Sequence, residues 1–322
     1  MMRLHIALAA ALMLACTGNK AAPEETAAER QGPDFNADSA YVYCEGQCSF
    51  GPRTMNSTAH DDCGAWIAAT FRRFGCEVTR QETTLKAYDG AQLRATNIIA
   101  SYRPENADRI MLCAHWDSRP WADNGPETQW QQPVMGANDG ASGVAVMMEV
   151  ARLLCQDSLA VGVDFVCFDA EDYGMPQWEG SDNDSWALGA QHWAANPHTD
   201  NYNPRFAILL DMVGGEGARF YREGFSMQLA PQVVSRVWKA ARTAGYATRF
   251  VNTTGGYVTD DHLPLNTIAG IAAIDIIAYY PDCPDSSFGP TWHTTDDTME
   301  HIDRTTLKAV GQTVIQVLYE TE

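Results

Sequence analysis

Arg109-Ile110-Met111-Leu112-Cys113-Ala114-His115-Trp116-Asp117 decides the fold. Ile110 to Ala114 runs without a polar interruption and reads as a strand buried on both faces, the habit of parallel sheets covered by helices. The run stops at His115 and Asp117, so charge begins where apolar character ends. The pattern returns at Val161–Phe168 before Asp169-Ala170-Glu171-Asp172, at Phe206–Leu210 before Asp211, and at Ile271–Ile277. Helical spacing fills the intervals, at Ala59–Phe74 (stopped by Gly75), Ala141–Leu154, Trp186–Ala195, Met227–Thr243 and Thr305–Tyr319. The expected fold class is α/β: a single domain over 41–322 with a mixed, mostly parallel central β-sheet and helices on both faces. Asn97–Ser101 and Arg109–Ala114 are expected to be neighbouring strands. In such sheets ligands sit beyond the carboxyl ends of the strands, which is where the acids and His115 fall.

With 322 residues, 45% hydrophobic and 20% charged, the chain has enough apolar material for one large core. Its net charge of −19 argues against nucleic acid and against polybasic attachment to anionic lipid. Arg3 precedes an apolar run that ends Met13-Leu14-Ala15-Cys16, too short for a permanent span. Residues 1–16 therefore read as a lipoprotein-type signal with a lipid on Cys16. Residues 17–40, poor in groups to bury, read as a flexible tether. The expected location is the periplasm or cell envelope of a bacterium, with membrane contact through Cys16 alone, and a monomer, since no heptad run appears. Eight cysteines remain beyond Cys16. Cys113 and Cys167 lie in apolar runs and read as buried thiols. Cys44 and Cys48, and likewise Cys63 and Cys76, are close in sequence, with pairing left open. No second Cys/His pair at finger spacing follows Cys48, which argues against a zinc knuckle there.

A lone Asp or His at a strand end is usually a cap. The joint order is harder to obtain by accident: His115-x-Asp117, Asp139-Gly140, Glu171-Asp172, Asp211, then His293. Zinc takes nitrogen and oxygen donors, and a catalytic site keeps one position open. Adjacent carboxylates on a loop point differently, so one of Glu171 and Asp172 can bind metal while the other carries protons. Small residues in Gly136-Ala137-Asn138-Asp139-Gly140-Ala141-Ser142-Gly143 allow a tight turn into a helix beside the metal. Asp296 and Asp297 stand ready to orient the His293 imidazole. No Gly-x-Ser-x-Gly elbow appears.

These residues resemble the zinc aminopeptidase clan and, within it, the glutaminyl-peptide cyclotransferases (glutaminyl cyclases) of animal and bacterial type. Leu112–Arg119 and Gly136–Gly143 are shared in pattern with both groups. Closer to the cyclases are Phe50-Gly51-Pro52-Arg53, Thr259-Asp260-Asp261-His262-Leu263-Pro264 and Phe288-Gly289-Pro290-Thr291-Trp292-His293-Thr294. The resemblance implies Asp139, Asp172 and His293 as ligands of one Zn2+, with Asp172 standing where many relatives have Glu. It implies Glu171 as general acid/base, with Asp211 and Asp260 as its acidic partners and Asp261 as the substitute if the register slips. Trp292 and Phe288, and with them Trp178, are implied as substrate-pocket walls. The implied substrates are peptides and proteins with N-terminal Gln, converted to pyroglutamate with loss of ammonia. The alternative is a co-catalytic aminopeptidase that holds two zinc ions and uses His115 and Asp211 for the second. A surface lipoprotein that keeps the fold as a binding module ranks last, because every ligand position and Glu171 survive.

Overall fold

A computed structural model describes residues 29–321. The expected signal segment with Cys16, and the tether as far as residue 28, lie outside the described residues. The tether does not extend to residue 40. Phe35 is fully buried, and Asn36 caps helix α1 (Ala37–Cys48) by accepting from the Ser39 amide. A reading of average polarity overlooked one buried Phe and one cap. Helix α2 (Thr58–Phe74) starts on the Ser57 hydroxyl and ends at Gly75, whose φ of 106° suits only glycine.

In chain order there follow β1 (Glu77–Lys86), β2 (Gln92–Tyr102), β3 (Arg109–His115), α3 (Ala141–Leu154), β4 (Gly162–Phe168), α4 (Leu188–Ala195) and β5 (Ala207–Asp211). Then come β6 (Phe220–Arg222), α5 (Gly224–Leu229), α6 (Pro231–Thr243), β7 (Phe250–Thr254), α7 (His262–Thr267), β8 (Ala273–Ile277) and α8 (Arg304–Glu320). The main sheet has the order β1-β2-β4-β3-β5-β8, and β6 pairs with β7 beside it. β4, β3, β5 and β8 are parallel, while β1 and β2 run antiparallel at one side. Every residue of the four parallel strands is buried. Alternate side chains feed two cores. Leu112, Phe165 and Ile208 pack with α1, α2, α3 and α8, and Met111, Val166 and Leu209 pack with α4 and α7.

Two further expectations need correction. β2 and β3 are not neighbours, because β4 lies between them, pairing Ile98 with Cys167 and Cys113 with Val166. The β3–α3–β4 unit lays β4 directly against β3 in parallel register. The helix expected over 227–243 is two helices, broken at Ala230 (φ −139°), because Pro231 disfavours helical backbone in the residue before it. β1 went unread: it is an edge strand with no fully buried residue and a polar sequence. All eight described cysteines are free thiols, with Cys113 and Cys167 fully buried. The spatial neighbour of Cys76 is Cys155, with sulfurs 4.0 Å apart, and not Cys63.

Candidate metal centre

Four elements deliver donors to the carboxyl end of the parallel strands, and His293 joins them from the segment between β8 and α8. His115 ends β3, Asp211 ends β5, Glu171 and Asp172 follow β4, and Asp139 precedes α3. Ala170, Met212 and His293 have φ of 53°, 48° and 52°, left-handed backbone that non-glycine residues rarely adopt. All three sit at or beside donors, where such strain tends to concentrate. At Gly140 (φ 92°) a Cβ would lie 2.7 Å from the Asp117 carbonyl and 3.0 Å from the His115 ring. At Gly143 it would lie 2.1 Å from the Leu210 carbonyl, so glycine lets α3 press against β5 and brings Asp139 to Asp211.

Two donor groups result, each with ligand atoms within 4.8 Å of one another: Asp139, Asp172 and His293, and His115, Asp139 and Asp211. His293 Nε2 stands 3.3 Å from Asp172 Oδ1 and 3.7 Å from Asp139 Oδ2. His115 Nε2 stands 2.9 Å from Asp139 Oδ1 and 3.2 Å from Asp211 Oδ1. Both Asp172 oxygens are buried without a hydrogen bond from the protein. Buried carboxylates demand a partner, and a ring nitrogen facing two of them calls for a cation between. One imidazole and two carboxylates per group are a zinc donor set that leaves room for a substrate oxygen.

Surrounding side chains hold these donors in place. Asp117 is not itself in either group; its two oxygens accept the Glu171 and Asp172 amides, both at 3.1 Å, and fix that turn. Asp297 does not orient His293 as expected. It accepts the Asn138 and Asp139 amides at 2.8 and 3.0 Å and shapes the Asp139 loop instead. The His293 partner is Asp123, with Oδ1 3.2 Å from Nδ1, which turns Nε2 toward the metal position. Arg119 grips Asp123 through two hydrogen bonds of 2.7 and 2.6 Å and donates to the Asp172 carbonyl. Burial would raise the Asp123 carboxyl, but Arg119 and His293 hold it well below the usual range. Arg53, fully buried, donates to the carbonyls of Trp116, Met135 and Gly136 and ties both metal loops to the chain's start.

The donors face a cavity of about 230 Å³. Glu171, Asp211, Asp260, Trp292 and Phe288 line it. Trp178 does not; it stacks on Trp130 with ring centroids 5.2 Å apart. The further indole in the wall belongs to Trp186, which sits parallel to His293 and over Arg119. Asp261 is buried beside Asp260 but does not line the cavity. Burial lifts the Glu171 carboxyl well above the usual range; His115 opposes this, and Asp260 and Asp172 add to it. Asp260 is pushed up to about 7, first by burial and then by the Asp211 charge. Sequence reasoning missed Trp186, Tyr257, Asp123 and Arg119. A signal existed for the last two, a carboxylate four residues after an arginine beside the His115 strand.

The family model for peptidase family M28 matches residues 97–318. The chain belongs to peptidase family M28. Among solved structures, a glutaminyl cyclase of Bacteroides thetaiotaomicron bound to N-acetylhistamine is 51% identical, with a TM-score of 0.88 over 91% of this chain and 100% of that one. A Zn-dependent exopeptidase of Parabacteroides distasonis is 49% identical, with a TM-score of 0.88 over 90% of this chain and 99% of that one. Aminopeptidase YwaD of Bacillus subtilis is 29% identical over 84% of this chain and 54% of its own length. The chain spans about half the length, or less, of several curated relatives that it matches. M28 membership and the donor sets together make this a zinc-binding chain.

Proposed function

We propose that this M28 chain is a glutaminyl-peptide cyclotransferase that converts N-terminal Gln of peptides and proteins to pyroglutamate and releases ammonia. What carries the reading is the small aromatic-walled cavity with Glu171 at the metal edge, in a chain half identical to a solved glutaminyl cyclase along its full length. Asp139, Asp172 and His293 would hold the zinc, which would supply Lewis-acid polarisation of the γ-carbonyl. Glu171 takes a proton from the substrate's α-amine as the nitrogen attacks Cδ. It returns that proton to the side-chain nitrogen as the Cδ–N bond breaks. Burial raises its carboxyl above the usual carboxylate range, which suits a group that must give back the proton it has taken. Burial comes first in that rise, and the neighbouring Asp260 and Asp172 carboxylates add to it. Trp292, Phe288 and Trp186 enclose the flat amide and hold the amine near the carbonyl, which is the main task in an intramolecular reaction.

A second reading has one specific observation behind it. The His115–Asp139–Asp211 group is complete and shares Asp139 with the first, as a di-zinc aminopeptidase requires. A paired assay separates the two. One zinc per chain, with ammonia from a Gln-initiated peptide of unchanged length, supports the cyclase. Two zinc ions and free Leu from a Leu-initiated peptide support the peptidase. We also propose export to the periplasm or cell envelope as a monomer tethered through a lipid on Cys16. Labelling with radioactive palmitate that survives Cys16→Ser rules that anchor out.

A further inference from the structure

The cavity holds one side chain, not a peptide. Its volume of about 230 Å³ falls below the roughly 300–1,000 Å³ of ordinary ligand pockets. Whatever follows the reacting residue must therefore lie at the mouth. There stands Tyr257, 65% exposed and still part of the cavity lining. It is three residues from Asp260, so the two Cα atoms lie at most about 10 Å apart. A peptide whose first residue fills the cavity puts its second Cα about 3.8 Å further out. Exposed and yet part of the lining, Tyr257 stands where a second side chain would leave the cavity.

Exposed as it is, this ring is held by a built support. It meets Phe225 edge-on, with centroids 4.9 Å apart and planes at 76°. It also lies over Gly224, where a Cβ would come within 2.7 Å of the phenol ring. Below, the buried Glu223 accepts the amides of Phe225 at 2.8 Å and Val258 at 3.0 Å through the same oxygen. The Gly224 amide donates to the Gly256 carbonyl at 2.8 Å. One carboxylate therefore holds the backbone of Phe225 and of the residue that follows Tyr257, although Tyr257 presents most of its surface to water. An ordered aromatic face left uncovered at a cavity mouth is a surface for an apolar or aromatic group.

We infer that Tyr257, supported by Phe225, forms a subsite for the side chain immediately after the N-terminal glutamine, selecting aromatic over small residues. This rests on the cyclotransferase reading. The test uses the zinc-loaded full chain and two amidated peptides, Gln-Phe-Ala and Gln-Gly-Ala, followed by ammonia release and by calorimetric binding. The wild type is expected to prefer the Phe peptide by about three- to tenfold, a ratio typical of one aromatic contact, expressed in KM and not in kcat. Tyr257→Ala should bring that ratio to about one, and Tyr257→Phe should preserve it. Equal binding of both peptides by the wild type, or an unchanged preference in Tyr257→Ala, overturns the subsite. Absence of ammonia from either peptide, with a Tyr257-dependent difference in Kd, overturns the cyclase reading and leaves the subsite standing.

Discussion

Buried charge occurs at both ends of the parallel strands, and the two ends treat it differently. Near the amino ends, Asp164 is fully buried and accepts from Arg109 through two bonds of 2.6 Å, from the Tyr202 hydroxyl at 2.6 Å and from the Ser101 hydroxyl at 2.5 Å. Protein donors reach both of its oxygens. At the carboxyl ends, both Asp172 oxygens and Asp260 Oδ2 are equally enclosed and receive no protein hydrogen bond. The first arrangement is closed and needs nothing from outside. The second is incomplete without a cation or a shared proton, and that incompleteness marks the chemistry more sharply than the number of charges does.

Breaking the open end should change turnover, and breaking the closed end should change stability. Glu171→Gln should lower kcat for a Gln-initiated peptide by about 10²–10⁴-fold with zinc content unchanged by atomic absorption. Asp164→Ala leaves Arg109 buried without its partner and should destabilise the fold by about 3–5 kcal/mol in urea melts, with zinc affinity unaltered at 25 °C. Glu223 sharpens the contrast, since it lies at the open end but has its oxygens satisfied. Burial would raise its carboxyl, yet hydrogen bonds from His262 and Ser226 bring it down from 4.5 to about 2. At about 1.4 kcal/mol per pH unit, that contributes about 3 kcal/mol. A lowered acid stabilises the fold above its unfolded value and loses that contribution as pH falls. The stability gap between wild type and Glu223→Gln should therefore be constant above pH 5 and shrink between pH 4.5 and 2. The smallest effect is expected from Asp123→Ala, which frees the His293 ring. Zinc affinity measured by chelator competition should weaken about 10- to 100-fold, while Asp123→Glu recovers part of the loss.

The parts of the site legible in the sequence are those tied to strand ends. His115, Asp211 and the Glu171–Asp172 pair each follow an apolar run whose stop is visible, and Asp139 and His293 sit in motifs of unusual composition. The sheet's helices and its parallel core were legible for the same reason. The strand order was not, because β2 and β3 both pair with β4, and pairing depends on a crossover that no local pattern records. Trp178 and Trp186 are eight positions apart in one polar loop, and composition offers no way to say which turns inward. Asp123 took the role expected of Asp297, and Asp297 shapes the Asp139 loop instead. A carboxylate that accepts distant backbone amides carries no periodicity, and loop packing alone decides which donors it meets.

The left-handed backbone at Ala170, Met212 and His293 has a consequence for engineering. Grafting the same acids and imidazole onto another α/β scaffold would reproduce the inventory and lose the alignment, since relaxed loops would aim each donor elsewhere. What must be transplanted is three awkward turns together with the neighbours that force them, Asp117 behind one and Asp123 with Arg119 behind another.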